Sequence, residues 1–228
     1  MNARLGEKTM TIKTAPSVLS ADFTRLGDEI KSTEVSGADM LHFDVMDGSF
    51  VDNISFGLPV LKSVRKATNL FLDAHLMIIN PGKFASAFCA AGADGVTFHL
   101  EACSTAAEVH DVIAQIKSCG KSAGLSIKPG TDPELLREFI PELDLVLVMT
   151  VMPGFGGQKF MESQLDAIKT ARRLITELNP SCALQVDGGI NAQTAKLAVA
   201  AGADVLVAGS YFFGAEDRAE AIAALKRA

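Results

Sequence analysis

The chain of 228 residues is 48% apolar and 21% charged, a balance that suits a soluble globular protein with a substantial core and argues against disorder. Its 27 acidic residues outnumber 21 basic ones for a net charge of −6, no Lys/Arg run exceeds Arg172-Arg173, Trp is absent and Tyr occurs once. That removes both the electrostatic footprint and the stacking platform of a nucleic-acid binder, and no apolar run is long and charge-free enough to span a bilayer.

The first 13 residues, "MNARLGEKTMTIK", lack the apolar segment of a secretory signal and are expected to form a flexible N-terminal extension, leaving 14–228 as one domain. Strand-like runs then follow at 14–19 ("TAPSVL"), 40–45 ("MLHFDV"), 70–76 ("LFLDAHL"), 94–100 ("DGVTFHL"), 122–127 ("SAGLSI"), 143–150 ("LDLVLVMT"), 182–187 ("CALQVD") and 204–209 ("DVLVAG"). Segments of helical spacing lie between them, among them "GKFASAFCAAG", "AAEVHDVIAQIKSCG" and "SQLDAIKTARRLITEL". A short motif recurs as "SGAD" at 36–39 and "AGAD" at 91–94 and 201–204, spacings of 55 and 110 residues. Gly after an alanine-rich stretch stops a helix, so each copy reads as a helix-to-strand joint. If 55 residues hold two such units, one unit is about 27 residues and the chain holds about eight. Eight alternations imply a parallel sheet closed as a (β/α)8 TIM barrel; the alternative is an open doubly wound sheet, whose nucleotide-binding version lacks support because no GxGxxG follows the first strand. Cys89, Cys103, Cys119 and Cys182 form no CxxC pair and read as reduced thiols, which together with the missing signal makes the cytoplasm the expected compartment.

In such a barrel, chemistry sits where strands end. The stretch "HFDVMDGSF" at 42–50 holds a histidine and two aspartates with no lysine or arginine nearby, a costly arrangement unless something positive sits beside it. His42 and Asp44 are two apart near the end of the second strand and face the same way; Asp73 and His75 repeat this on the third, His99 and Glu101 on the fourth, and Asp187 ends the seventh. A lone pair of this kind is ordinarily a satisfied core histidine, but several at one rim make an N/O site for one divalent ion, Fe2+, Zn2+, Mn2+ or Co2+. The preferred ligand set is His42, Asp44, His75 and Asp187; Asp73 is read as supporting or structural, His99 as wall, and Asp47 as a turn residue in "MDGS". Further along, "PGFGGQKF" at 153–160 offers Gly154, Phe155, Gly156 and Gly157 for close approach of backbone N–H groups to an anion. Gly188 and Gly189 in "DGGI", with Gly209 and Ser210 in "AGSYFFG", stand where a barrel phosphate site is usually built. Met46, Met77 and Met149 near the same rim are either core filling or a flexible apolar wall around a flat intermediate.

Together "PSVLSADF", "HFDVMDGSFV", "DAHLM", "MTVMPGFGGQKF" and "VDGGI" resemble the ribulose-phosphate 3-epimerase family, from about residue 14 to the C-terminus. The resemblance implies a barrel of the ribulose-phosphate-binding type, a phosphorylated ketopentose as substrate, and interconversion of D-ribulose 5-phosphate and D-xylulose 5-phosphate in the pentose phosphate pathway. It implies metal ligands at His42, Asp44, His75 and Asp187, the two aspartates also serving as acid/base groups, with Ser17 and His75 touching the sugar and phosphate at Gly209 and Ser210. A homo-oligomer is expected as well, with neither nucleic acid nor membrane as partner. Two loop positions depart from the family pattern: Asp52 replaces the proline of "FVPN", and Met152 stands where Asn or an acid precedes "PGFGG". Other readings are an epimerase for a longer sugar such as allulose 6-phosphate, a non-catalytic phosphosugar-binding barrel, and a metal hydrolase. The complete ligand set disfavours the second, and a hydrolase needs no carboxylates on opposed faces.

Overall fold

Residues 11–228 are described by a computed structural model, in which strands and helices alternate from β1 (Lys13–Pro16) through α1 (Leu26–Val35), β2 (Met40–Met46), α2 (Leu58–Ala67), β3 (Phe71–Met77), α3 (Pro81–Ala91), β4 (Gly95–His99), α4 (Ala106–Ser118) and β5 (Ser122–Ile127). The second half continues with β6 (Leu145–Met149), α5 (Leu165–Leu178), β7 (Ala183–Asp187), α6 (Thr194–Ala201), β8 (Val205–Ala208), α7 (Ser210–Phe213) and α8 (Arg218–Lys226). Parallel ladders run in the order β1-β8-β7-β6-β5-β4-β3-β2. A Ser17–His42 bridge and the Asp39 N–H, which donates to the Thr14 carbonyl at 3.1 Å, join β1 to β2 and close the ring, so the open-sheet alternative falls. Lys13 already lies in β1 and Ile12 is buried, so the barrel begins slightly before the expected boundary; residues 1–10 of the expected extension lie outside the described residues. Among the described residues no helix is long and apolar enough to cross a membrane.

Because successive strand residues point to opposite faces, each strand sorts its side chains between two environments. Leu41, Phe43 and Val45 of β2, with Leu72, Ala74 and Leu76 of β3, face outward into the main apolar core beneath the helices. Their neighbours His42, Asp44 and Met46 face the barrel interior, and the register pairs them with Asp73, His75 and Met77. The polar groups therefore share one interior, the acids stacked above its apolar floor of Ala15, Met40, Val205 and Val207.

One expectation fails locally. Between β5 and β6 the chain forms short 3-10 turns, Pro133–Glu138 and Ile140–Glu142, rather than an α-helix. Pro141 lacks the N–H that a continuing α-helix needs, and its ring clashes with the carbonyl four residues earlier, so this connection stays broken.

Candidate active site

At the C-terminal ends of the strands lies a cavity of about 320 Å³. Asp44, Asp187, Ser17, Met46, Met77 and Met149 line its base and walls. Gly154, Phe155, Gly156 and Gly157 border one side, and Gly188, Gly189, Gly209 and Ser210 border another. The methionines are nearly fully buried, so they fill core and form wall at once. Gly189 has φ +66°, and a Cβ there would collide with the Phe160 backbone, while a Cβ on Gly209 would come within 2.5 Å of the Ser20 hydroxyl. These loops approach one another more closely than side chains allow.

Four potential ligand atoms meet at the cavity floor, one each from His42, Asp44, His75 and Asp187, all within 4.8 Å of one another. His42 Nε2 lies 3.2 Å from Asp44 Oδ1, 3.3 Å from His75 Nδ1 and 3.9 Å from Asp187 Oδ2. His75 Nδ1 lies 3.0 Å from Asp44 Oδ1 and 4.0 Å from Asp187 Oδ2. Tetrahedral N/O ligands at about 2.0–2.1 Å from a divalent ion are separated by roughly 3.3–3.4 Å, so the cluster fits one cation with little adjustment. The donor chemistry fits too, with two imidazoles and two carboxylates. His42 Nδ1 is held by Asp73 Oδ2 at 2.8 Å, which leaves Nε2 facing the other ligands. Asp73 in turn accepts from Gln185 Nε2 at 2.8 Å and Thr97 Oγ1 at 3.3 Å, anchoring it inside the barrel.

The two aspartates are electrostatically unequal. Burial penalises the charge on Asp44, but His42, followed by His75, outweighs burial and holds the carboxyl below its usual range. For Asp187, burial and then the charge of Asp44 push the pKa up to about 6. His42 is raised well above its ordinary value because Asp44 and Asp73 together overcome its complete burial. His99, equally buried, goes the other way, to about 4, since burial dominates. Glu101 is held at about 2 despite partial burial, by its hydrogen bonds with His99 first and then with the Thr131 hydroxyl and the Lys128 N–H.

Of the residues read from sequence, His42 and His75 are fully buried and do not line the cavity, and His99, expected as wall, is equally buried and packs against His75 instead; the remaining ligand, glycine-loop, Ser17, Ser210 and methionine positions line it. Ser17 donates to Asp44 Oδ2 at 2.5 Å, at the turn after β1. Asp47 is indeed a turn residue, its Oδ1 accepting from the Ser49 and Phe50 N–H groups and its Oδ2 from that of Ile79. Asp52 and Met152 are exposed and are not among the residues that line the cavity. Sequence reasoning missed Leu19, Ser20, Asn191, Val207 and Tyr211, which also line it. Ser20 had a signal: it follows Ser17 by three residues, and in a 3-10 turn such residues share a face.

Fold and site together define a (β/α)8-barrel protein with a buried His/Asp cluster of metal-binding type beneath a glycine-rimmed cavity. Residues 13–213 match the ribulose-phosphate 3 epimerase family. A ribulose-phosphate 3-epimerase of Bacillus subtilis is 48% identical over 216 residues, covering 94% of this chain and 98% of the relative. The chloroplastic ribulose-5-phosphate-3-epimerase of Arabidopsis thaliana is 45% identical over 93% of this chain and 75% of its own length. Among solved structures, 3-hexulose-6-phosphate synthase from Salmonella typhimurium superposes with a TM-score of 0.70 at 19% identity, covering 95% of this chain and 97% of that one. Orotidine 5′-phosphate decarboxylase from Pyrococcus horikoshii gives 0.66 at 19% identity, covering 93% and 97%. These distant structures share the fold. The chain belongs to the ribulose-phosphate 3-epimerase family.

Proposed function

We propose that the protein interconverts D-ribulose 5-phosphate and D-xylulose 5-phosphate by inverting C3. The observation that carries this reading is the convergence of two carboxylates, Asp44 from β2 and Asp187 from β7, on the floor of one cavity. Inversion requires a proton to leave one face of the carbon and another to arrive on the opposite face of the planar enediolate, which one fixed base does not accomplish. Strands β2 and β7 stand three places apart around the ring, with β1 and β8 between them, so their carboxylates approach from different sides.

Each residue has a share in the reaction. Ser17 orients Asp44 through Oδ2, and the opposed influences on the two acids favour one ionised and one protonated partner, with roles exchanging by direction. Met46, Met77 and Met149 keep water from the reacting carbon. The N–H groups around Gly188, Gly189, Gly209 and Ser210, with the Gly154–Gly157 loop, take the phosphate and turn its binding energy into alignment. A divalent ion held by His42, Asp44, His75 and Asp187 supplies, when bound, Lewis-acid stabilisation of the charge that develops on the C2 and C3 oxygens. Fe2+, Zn2+, Mn2+ and Co2+ all suit the donor set.

The reading extends to a cytoplasmic setting, consistent with four free thiols, and to a homo-oligomer, supported by exposed Phe23, Ile54, Ile79 and Phe84. Residues 14–228 are taken as the catalytic domain. Turnover of ribulose 5-phosphate by the purified protein, compared with allulose 6-phosphate, tests the substrate. Isotope exchange tests the mechanism. In D2O, Asp187→Asn should still exchange the C3 hydrogen of one epimer through Asp44 yet fail to invert it, and Asp44→Asn should exchange only the other epimer. Substantial epimerisation by either variant, with its metal content verified, would refute the two-base assignment.

A further inference from the structure

His75 contributes Nδ1 to the ligand cluster, and its other nitrogen, Nε2, faces His99 Nε2 at 2.9 Å, a contact between two imidazoles that requires one shared proton. The far nitrogen of His99, Nδ1, lies 3.2 Å from Glu101 Oε2. Glu101 is fixed in turn: its Oε1 accepts from the Lys128 N–H at 2.8 Å and the Thr131 hydroxyl at 2.5 Å. The Phe50 ring packs on His99 with centroids 4.8 Å apart, and the Lys128 ammonium lies 3.4 Å above the Phe50 centroid, so the relay is covered on that side.

Proton counting along this chain gives one arrangement. A carboxylate only accepts, so His99 carries its proton on Nδ1 and presents a lone pair at Nε2. The proton between the rings then belongs to His75 Nε2, and His75 Nδ1 is left with the lone pair that a cation requires. We propose that Glu101 and His99 are positioning residues that lock His75 in the Nε2–H tautomer and so reserve its Nδ1 for the metal. The proposal rests on the reading of the four-residue cluster as a metal site. His42 reaches the same end by a shorter route, since Asp73 holds its Nδ1 directly. Groups that orient ligand histidines in this way typically set metal affinity within about 10–100-fold.

Glu101→Gln separates this role from a structural one. The amide oxygen keeps the Lys128 and Thr131 hydrogen bonds, so its NH2 faces His99 Nδ1 and donates. His99 then carries its proton on Nε2, His75 must accept there, and its own proton moves to Nδ1, against Asp44 Oδ1 at 3.0 Å. With four histidines in the chain, long-range 1H–15N spectra of 15N-histidine protein resolve each tautomer. Chelator competition measures Zn2+ affinity alongside. The expected result is a flipped His75, an unchanged His42 and Zn2+ affinity weakened about 10–100-fold, with the Tm of the metal-free protein unaltered. His99→Phe, which keeps the stack on Phe50 but removes the acceptor, should weaken Zn2+ binding to a similar degree. Parental affinity and an unflipped His75 in Glu101→Gln would overturn the relay alone. An unsubstituted protein that binds no Zn2+, Fe2+, Mn2+ or Co2+ would instead overturn the metal-site reading beneath it.

Discussion

Asp44 and Asp187 are the same side chain in one cavity, and their neighbours alone set them apart. Asp44 has two imidazole nitrogens within 3.2 Å, while Asp187 has the same nitrogens at 3.9 and 4.0 Å and feels the charge of Asp44. This difference has a measurable sign. In metal-free protein the Asp187 pKa is raised to about 6, above its unfolded value of about 3.9, so the residue contributes stability below pH 4 that is lost as pH rises through 6. Asp187→Asn lacks that titration. Between pH 4 and 7 it should gain on the metal-free parent by on the order of 2–3 kcal/mol in urea unfolding, and a pH-independent difference would contradict the assignment. At this scale the sequence showed which residues carry charge and which share a strand face. It did not show that His42 and His75 are fully buried and off the cavity lining, because their surroundings are set by contacts between strands, such as those of Asp73 with His42 and with Gln185 across the barrel.

The recurrent "GAD" joints show their purpose once the strands are paired. Gly37, Gly92 and Gly202 end helices at φ of +82°, +113° and +115°, as the motif implies. The following aspartate then reaches back to the start of the preceding strand: Asp39 accepts from the Thr14 N–H at 2.8 Å, Asp94 from that of Leu72 at 3.0 Å and Asp204 from that of Leu184 at 2.9 Å. Asp144, outside any recognisable motif, does the same for Ala123 at 2.8 Å. Each has a basic partner, namely Lys226, Arg65, Arg172 and Lys117. The tie recurs on every second strand, which is why the repeat spans two units rather than one. All of these ties lie at the N-terminal ends of the strands, opposite the cavity. Asp94→Ala should therefore cost about 2 kcal/mol of stability and leave kcat unchanged, as chemical denaturation and steady-state kinetics would check.

For the molecule as a whole, the metal-free cluster opposes folding, and a cation held there would reverse that. Two carboxylates and two imidazoles share a buried floor, and a cation that binds only the folded protein adds stability by mass action, about 2.7 kcal/mol at a free concentration one hundred times Kd. For a chain of this size that corresponds to about 5–10 °C in Tm between chelated and Zn2+-loaded protein. A Tm indifferent to chelation would count against a resident cation.

The sequence by itself determined the eight strands, the helix stops, the residues at the cavity rim and the likeness to one family, because these follow from period-two alternation, glycine placement and short contiguous motifs. It did not determine the fifth connection: a helix was implied by the count, and Pro141 broke it into 3-10 turns. Tertiary structure also decided the closure of β1 on β2, the inequality of Asp44 and Asp187, and the path from Glu101 through His99 to His75. Each of these depends on distances of a few ångströms between residues on different strands. Alternation along a single strand says which face a side chain occupies, and only the closed ring says what it meets there.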